Sequence, residues 1–175
     1  MVSAMDEATL TGAAAQAFAE RFELGRLCND EVAASCEIDA PRAYVWSVLS
    51  DFDTYPEWNP FTPGVEGALA VGRPVALDVR FEGKRPRRQV EWVNRVEPES
   101  LICWGVRYWS RKILAANRRQ ELSEISPTRT RYYTVDRFSG VLVPLVFTLY
   151  GELMQRGFDG VAAGLKAYCE ANYRA

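Results

Sequence analysis

From Val141 to Tyr173 the apolar residues recur every three or four positions, and Phe147, Tyr150, Met154, Phe158, Val161, Leu165 and Tyr168 form one continuous stripe. A helix this long with one apolar side must bury that side, and the residues before it supply the partner. From Val75 the period is two: Val75, Leu77, Val79 and Phe81 share one face, and Asp78, Arg80 and Glu82 share the other. The polar turn at Glu82–Pro86 leads to a second run, Arg88–Val96, and Pro98-Glu-Ser leads to a third, Leu101–Trp109. Ser126-Pro-Thr joins Asn117–Ile125 to Thr130–Phe138, both rich in β-favouring residues. With Val32–Ile38 the count is six or seven strands, and the pattern predicts an α+β domain in which an antiparallel sheet packs on its last helix.

Two further helical segments are expected. Residues 6–24 read as a helix capped by Asp6, with Leu10, Ala14, Phe18 and Phe22 on one stripe and Gly25 ending it. It packs on its own domain, or serves as an added cover or a homodimer contact. Asp39 is placed to cap a helix that starts at Pro41 and buries Tyr44, Val45, Val48 and Leu49, with Trp46 at the edge. Next comes Asp51-Phe-Asp-Thr-Tyr-Pro-Glu-Trp-Asn-Pro-Phe61, where Pro56 and Pro60 allow only a short helical turn. Its rings Phe52, Tyr55, Trp58 and Phe61 are too many for an ordinary solvent loop.

Composition narrows the chemistry. The chain of 175 residues has no histidine, which excludes Ser-His-Asp and Cys-His nucleophile systems and histidine-bearing metal sites. Cys28, Cys36, Cys103 and Cys169 form no C-x-x-C pair, so no zinc knuckle is written and buried thiols are expected. No P-loop or dinucleotide fingerprint occurs, and neither a cofactor nor a metal is expected. With 21 basic and 23 acidic residues the formal charge is -2, which disfavours nucleic acid as a partner. The beginning lacks the basic patch and apolar run of a secretory signal, and no segment approaches about eighteen uninterrupted apolar residues. A cytoplasmic protein without stable membrane insertion is expected.

Specific residues carry a resemblance. Ile38-Asp-Ala-Pro-Arg-Ala-Tyr-Val-Trp-Ser-Val-Leu49 and the aromatic segment after it, then Trp104-Gly105, then Asp136-Arg-Phe-Ser-Gly-Val-Leu-Val-Pro144, resemble the polyketide cyclase/dehydrase branch of the START-like (SRPBCC) superfamily. The resemblance spans residues 33–170. It implies a helix-grip fold, with a curved sheet of six to seven strands wrapped around the C-terminal helix and two short helices after the first strand. Residues 1–32 would be an N-terminal helical extension and 33–175 the ligand-binding domain.

The resemblance further implies a hydrophobic cavity between sheet and long helix, and a hydrophobic small molecule, lipid-like or polyketide-like, as partner. Trp58 and Phe61 of the aromatic segment are expected at its wall, with Trp92, Trp104 and Phe138 from the strands and Tyr150, Met154 and Phe158 from the helix. The alternative is that these rings close the core. Burying one removes about 150–250 Å² from water, an upper limit of about 4–6 kcal/mol available to folding or to binding. Where the family often has a histidine followed two residues later by an aromatic, this chain has Arg118 and Gln120. Pointing inward, they would give the cavity a polar end, with Asp136 or Glu121 needed beside the guanidinium; with the register shifted by one, Arg118 would be solvated.

The remaining signals are open. Gly157, Gly160 and Gly164 line one edge of the last helix, either for close approach of the sheet or as room for a ligand. Lys84, Arg85, Arg87 and Arg88 read as a solvated basic hairpin, with phosphate or anionic lipid as the alternative. One of Tyr132 and Tyr133 must face in and the other out. For cyclase-like acid–base work the inward-capable candidates are Asp136, Asp78 and Arg80; the alternative is a carrier that catalyses nothing.

Overall fold

Alternation from Val75 onward is read out as a meander. The computed structural model describes residues 9–174, and its strands are β1 (Asp30–Ile38), β2 (Gly64–Gly67), β3 (Pro74–Val79), β4 (Arg87–Glu97), β5 (Leu101–Tyr108), β6 (Leu114–Ser126) and β7 (Arg129–Ser139). They form one antiparallel sheet in the order β1-β7-β6-β5-β4-β3-β2. The helices are α1 (Gly12–Glu20), α2 (Arg42–Ser50), α3 (Tyr55–Trp58) and α4 (Val143–Asn172). This is the helix-grip α+β arrangement: α4, about 45 Å long at 1.5 Å per residue, lies on the face that carries Val75, Leu77, Trp104, Leu122 and Tyr132.

Several elements differ from expectation. The seven strands fit the expected six or seven, but the place of β2 was not expected: four residues long, it pairs Gly64 with Asp78 and Gly67 with Val75. α1 is shorter than 6–24: it starts at Gly12 and ends in a turn in which the Arg21 amide donates to the Phe18 carbonyl. The expected cap Asp6 lies outside the described residues. Asp39 caps nothing. Its amide donates to the Glu170 carboxylate of α4 at 2.9 Å, its carboxylate pairs with Arg129, and Pro41 is the residue before the helix. Cys103 and Cys169 are buried as expected, Cys36 is half-buried, and Cys28 is exposed in the loop before β1.

α1 lies on the other face of the sheet, where Phe18 meets Trp92 of β4 with ring centroids 6.2 Å apart. That explains why β4 is apolar on both faces: Val93 points to the core and Trp92 to α1.

The aromatic segment packs against α4. A 3₁₀ turn at Phe52–Thr54, with the Asp51 carboxylate accepting from the Asp53 amide, runs into α3. The Tyr55 hydroxyl donates to the Leu49 carbonyl at 2.9 Å, and the Tyr55 and Trp58 rings lie 4.5 Å apart. The glycine edge of α4 receives this segment rather than the sheet: a Cβ on Gly164 would lie 1.9 Å from the Trp58 carbonyl oxygen, and one on Gly157 would lie 2.3 Å from the Phe61 ring. Tyr55, Trp58 and Phe61 are buried in the same core.

α4 also runs along β1. Gln155 Nε2 donates to the Ala33 carbonyl at 2.8 Å, and Lys166 Nζ donates to the Glu37 carbonyl at 2.6 Å and pairs with Glu170.

Candidate functional site

Between sheet and α4 is a cavity of about 580 Å³. Val79 of β3, Val106 of β5, Ala116 of β6 and Phe138 of β7 face it from the sheet, each in phase with the core positions of its strand. Met154, Phe158 and Tyr150 face it from α4, and Phe61 and Phe81 close one side. Against this apolar lining stand Gln89 and Glu91 of β4 and Asp136 of β7.

Pairing brings the polar groups together. Arg118 is opposite Asp136 across β6 and β7 and opposite Trp104 across β5 and β6, so all three share the inner face. Arg118 points inward and is 5 % exposed. Its Nε–H donates to Thr134 Oγ1 at 3.3 Å, and its guanidinium carbon lies 4.6 Å from the Phe158 ring centroid and 6.0 Å from that of Trp104. Such faces favour a cation. Glu121 points the other way and pairs with Arg119 on the outer surface. Tyr132 is the inward tyrosine, and its hydroxyl donates to Gln120 Oε1 at 2.8 Å.

Four polar atoms in this region are buried without a partner: Arg118 Nη2, Gln120 Nε2, Trp104 Nε1 and Asp136 Oδ1. Three are donors and one is an acceptor. Leaving such groups unpaired is costly, and of the four residues only Asp136 also lines the cavity, where a bound molecule or water can reach it.

Burial dominates the two carboxyl groups. It pushes Glu91 up to about 7, against the hydrogen bond from Gln89 and the positive charge of Arg118. Asp136 is raised well above the usual carboxylate range, first by burial and then by Glu91, with Arg118 opposing. Burial thus favours the protonated form of both carboxyl groups on the same cavity, and the charge of Arg118 opposes it. The native Glu91 carboxyl holds its proton to higher pH than the unfolded one, so its share of stability is complete below the unfolded value of 4.5 and is lost as pH rises toward about 7. Glu91→Gln is expected to flatten the decline in urea midpoint between acidic and mildly alkaline pH. An unchanged slope would contradict the assignment.

The expected site residues separate into three groups. Phe61, Phe138, Tyr150, Met154, Phe158 and Asp136 line the cavity. Trp104, Arg118 and Gln120 are buried on the same face behind that lining, and Trp58 is packed under α4. Trp92, Asp78 and Arg80 are elsewhere: Trp92 lies under α1, Asp78 pairs with Arg88 on the outer face at 3.4 Å, and Arg80 is exposed. Glu91 and Gln89 were not anticipated. Their signal is parity, since they are in phase with the buried Val93, and Glu91 is opposite Val75 in the register of β3 and β4.

The family model for polyketide cyclase/dehydrase and lipid transport proteins matches residues 30–170. The chain belongs to this family. Among curated proteins none is similar in sequence at a significant level. Solved structures share its fold. The Zhui aromatase/cyclase of Streptomyces sp. R1128 superposes with a TM-score of 0.69 at 17% identity, covering 85% of this chain and 98% of that one. Norcoclaurine synthase of Thalictrum flavum, in complex with dopamine and hydroxybenzaldehyde, gives 0.64 at 13% identity, covering 98% and 100%. A START superfamily protein of Mycobacterium smegmatis gives 0.62 at 23% identity, covering 82% and 99%. Among the described residues of this polyketide cyclase/dehydrase and lipid transport family member, no helix is long and apolar enough to cross a membrane.

Proposed function

We propose that this family member binds a mostly apolar small molecule, lipid-like or polyketide-like, between its sheet and α4, with a polar end of the ligand at Glu91 and Asp136. The observation that carries this reading is the cavity itself: about 580 Å³ with an apolar lining, interrupted at one wall by two carboxyl groups. That volume lies within the usual range for small-molecule sites, about 300–1,000 Å³, and a few convergent polar groups are what orient a ligand in such a site.

Native mass spectrometry of the freshly purified chain, beside its denatured mass and an organic extract, tests this. A discrete added mass that disappears on denaturation is expected, and Met154→Trp, which fills the cavity from α4, should abolish it while the protein still melts cooperatively. Bare protein in native spectra, both as purified and after incubation with lipid and polyketide extracts, would overturn the reading.

A second reading rests on two carboxyl groups, Glu91 and Asp136, facing the same apolar cavity, where burial raises both. In a dehydration, the ionised member of the pair would take a proton from the carbon next to a ketone. The protonated member would give its proton to a β-hydroxyl, so that the C–O bond breaks, a C=C bond forms and water leaves. Asp136→Asn should then retain the bound molecule and lose turnover of a β-hydroxy ketone; a wild type that releases such a ketone unchanged is a carrier.

A further inference from the structure

The first two turns of α4 carry no charge and, apart from Thr148, whose hydroxyl donates to the Pro144 carbonyl, are apolar on every side. Val146, Phe147 and Tyr150 pack toward the core, yet Leu145 and Leu149 on the opposite side are 57% and 58% exposed, and Val141 one turn earlier is 50% exposed. A helix apolar all round is normally covered all round. Beside it, at the tip of the β5–β6 connection, Trp109 is 89% exposed and holds a left-handed backbone with φ of 62°. The two are fixed to each other, because the Val141 amide donates to the Lys112 carbonyl at 2.9 Å and the Leu142 amide to the Ile113 carbonyl at 3.1 Å. Trp109 and Leu142 both line the cavity, so this exposed apolar edge is the rim of its opening.

Charge is distributed to match. From Leu101 to Ala116 the charged residues are Arg107, Arg111 and Lys112, all exposed and all basic, and from Ser139 to Gly151 there are none. The β3–β4 hairpin adds Arg87, which also lines the opening, beside Lys84 and Arg85. A chain whose formal charge is -2 thus presents a positive collar around apolar side chains at one end. The described chain enters at the other end of β3, where the Leu10 amide donates to the Val71 carbonyl.

We propose that this rim docks reversibly on an anionic bilayer, with Trp109, Leu145 and Leu149 entering the interfacial layer and the basic collar meeting the headgroups. A protruding tryptophan with aliphatic neighbours suits a membrane interface, and each nearby lysine or arginine strengthens attachment to anionic lipid. A protein partner would more readily use a groove, whereas here the side chains surround an opening, so docking would join the acyl layer to the cavity. This goes beyond the ligand-binding reading and stands without it.

Flotation of the full chain with phosphatidylcholine vesicles, with and without a fraction of phosphatidylglycerol, is the test. Retention on the anionic vesicles at low salt, weakening as salt rises, is expected, with little on phosphatidylcholine alone. Joint replacement Trp109→Ser, Leu145→Ser and Leu149→Ser should lower retention by at least tenfold without lowering the melting temperature, and Lys112→Gln by about fivefold. Met154→Trp should float as the wild type does, so that an empty cavity and a failed docking surface are told apart. No retention on anionic vesicles, or retention unchanged in the triple variant, would overturn the proposal, as would capture of an acidic carrier protein by a rim that ignores vesicles.

Discussion

Gly164→Ala lowers stability by about 3 kcal/mol, although alanine in place of glycine inside a helix ordinarily adds up to about 1 kcal/mol. The new methyl would lie 1.9 Å from the Trp58 carbonyl oxygen, a backbone atom held by α3 between two buried rings. Neither side can yield locally: α4 is fixed to β1 by Gln155 and Lys166, and Tyr55 is fixed to α2 by its hydroxyl. The helix and the aromatic segment must therefore separate. Gly160→Ala is the control, because its methyl would meet only Pro60 Cγ at 3.1 Å, and its effect stays within about 1 kcal/mol of zero. For a chain of this size the Gly164 variant should melt roughly 6–12 °C lower. A Gly164→Ala protein as stable as the wild type would show that α3 is not seated on α4 as described.

Arg118→Ala is expected to cost roughly 3–5 kcal/mol at mildly alkaline pH, because it leaves Glu91 and Asp136 without the buried cation that opposes their burial. The sign of the pH dependence follows from the same arrangement. Arg118 draws both carboxyl groups downward, so its removal lets the native state hold their protons to still higher pH while the unfolded chain is unchanged. Stability of the variant should fall more steeply than that of the wild type as pH rises above the unfolded carboxylate range. Chemical denaturation at several pH values distinguishes this from simple loss of packing against Phe158, which would cost the same at each pH.

Periodicity made most of this fold legible. The alternation of Val75, Leu77 and Val79 against Asp78 is the alternation of the two sheet faces, and the stripe through Met154, Phe158, Val161 and Leu165 is buried against that sheet. β2 escaped because four residues with glycine at both ends show no alternation, and the strand exists by pairing with β3. Trp92 and Glu91 exchanged places for a related reason. Where α1 covers the second face of β4, a large ring can be apolar and still point away from the main core, while a carboxylate takes the inward position. Hydrophobicity alone ranks Trp92 first; only the register across β3 and β4 ranks Glu91. Asp39 has the right residue type and spacing for a helix cap, but Arg129 and Glu170, distant in sequence, claim it.

The contacts of α4 along β1 bear on how the molecule behaves in company. β1 is the terminal strand of the sheet, nine residues long, and a bare strand of that length is a template on which a second chain can add its own. Here the outward carbonyls of Ala33 and Glu37 are already occupied by Gln155 and Lys166. At the opposite margin β2 stops after four residues. Both margins are thereby poor seeds for edge-to-edge growth, and a crowded solution of this open sheet is protected from aggregation by side chains of the same helix that roofs its cavity.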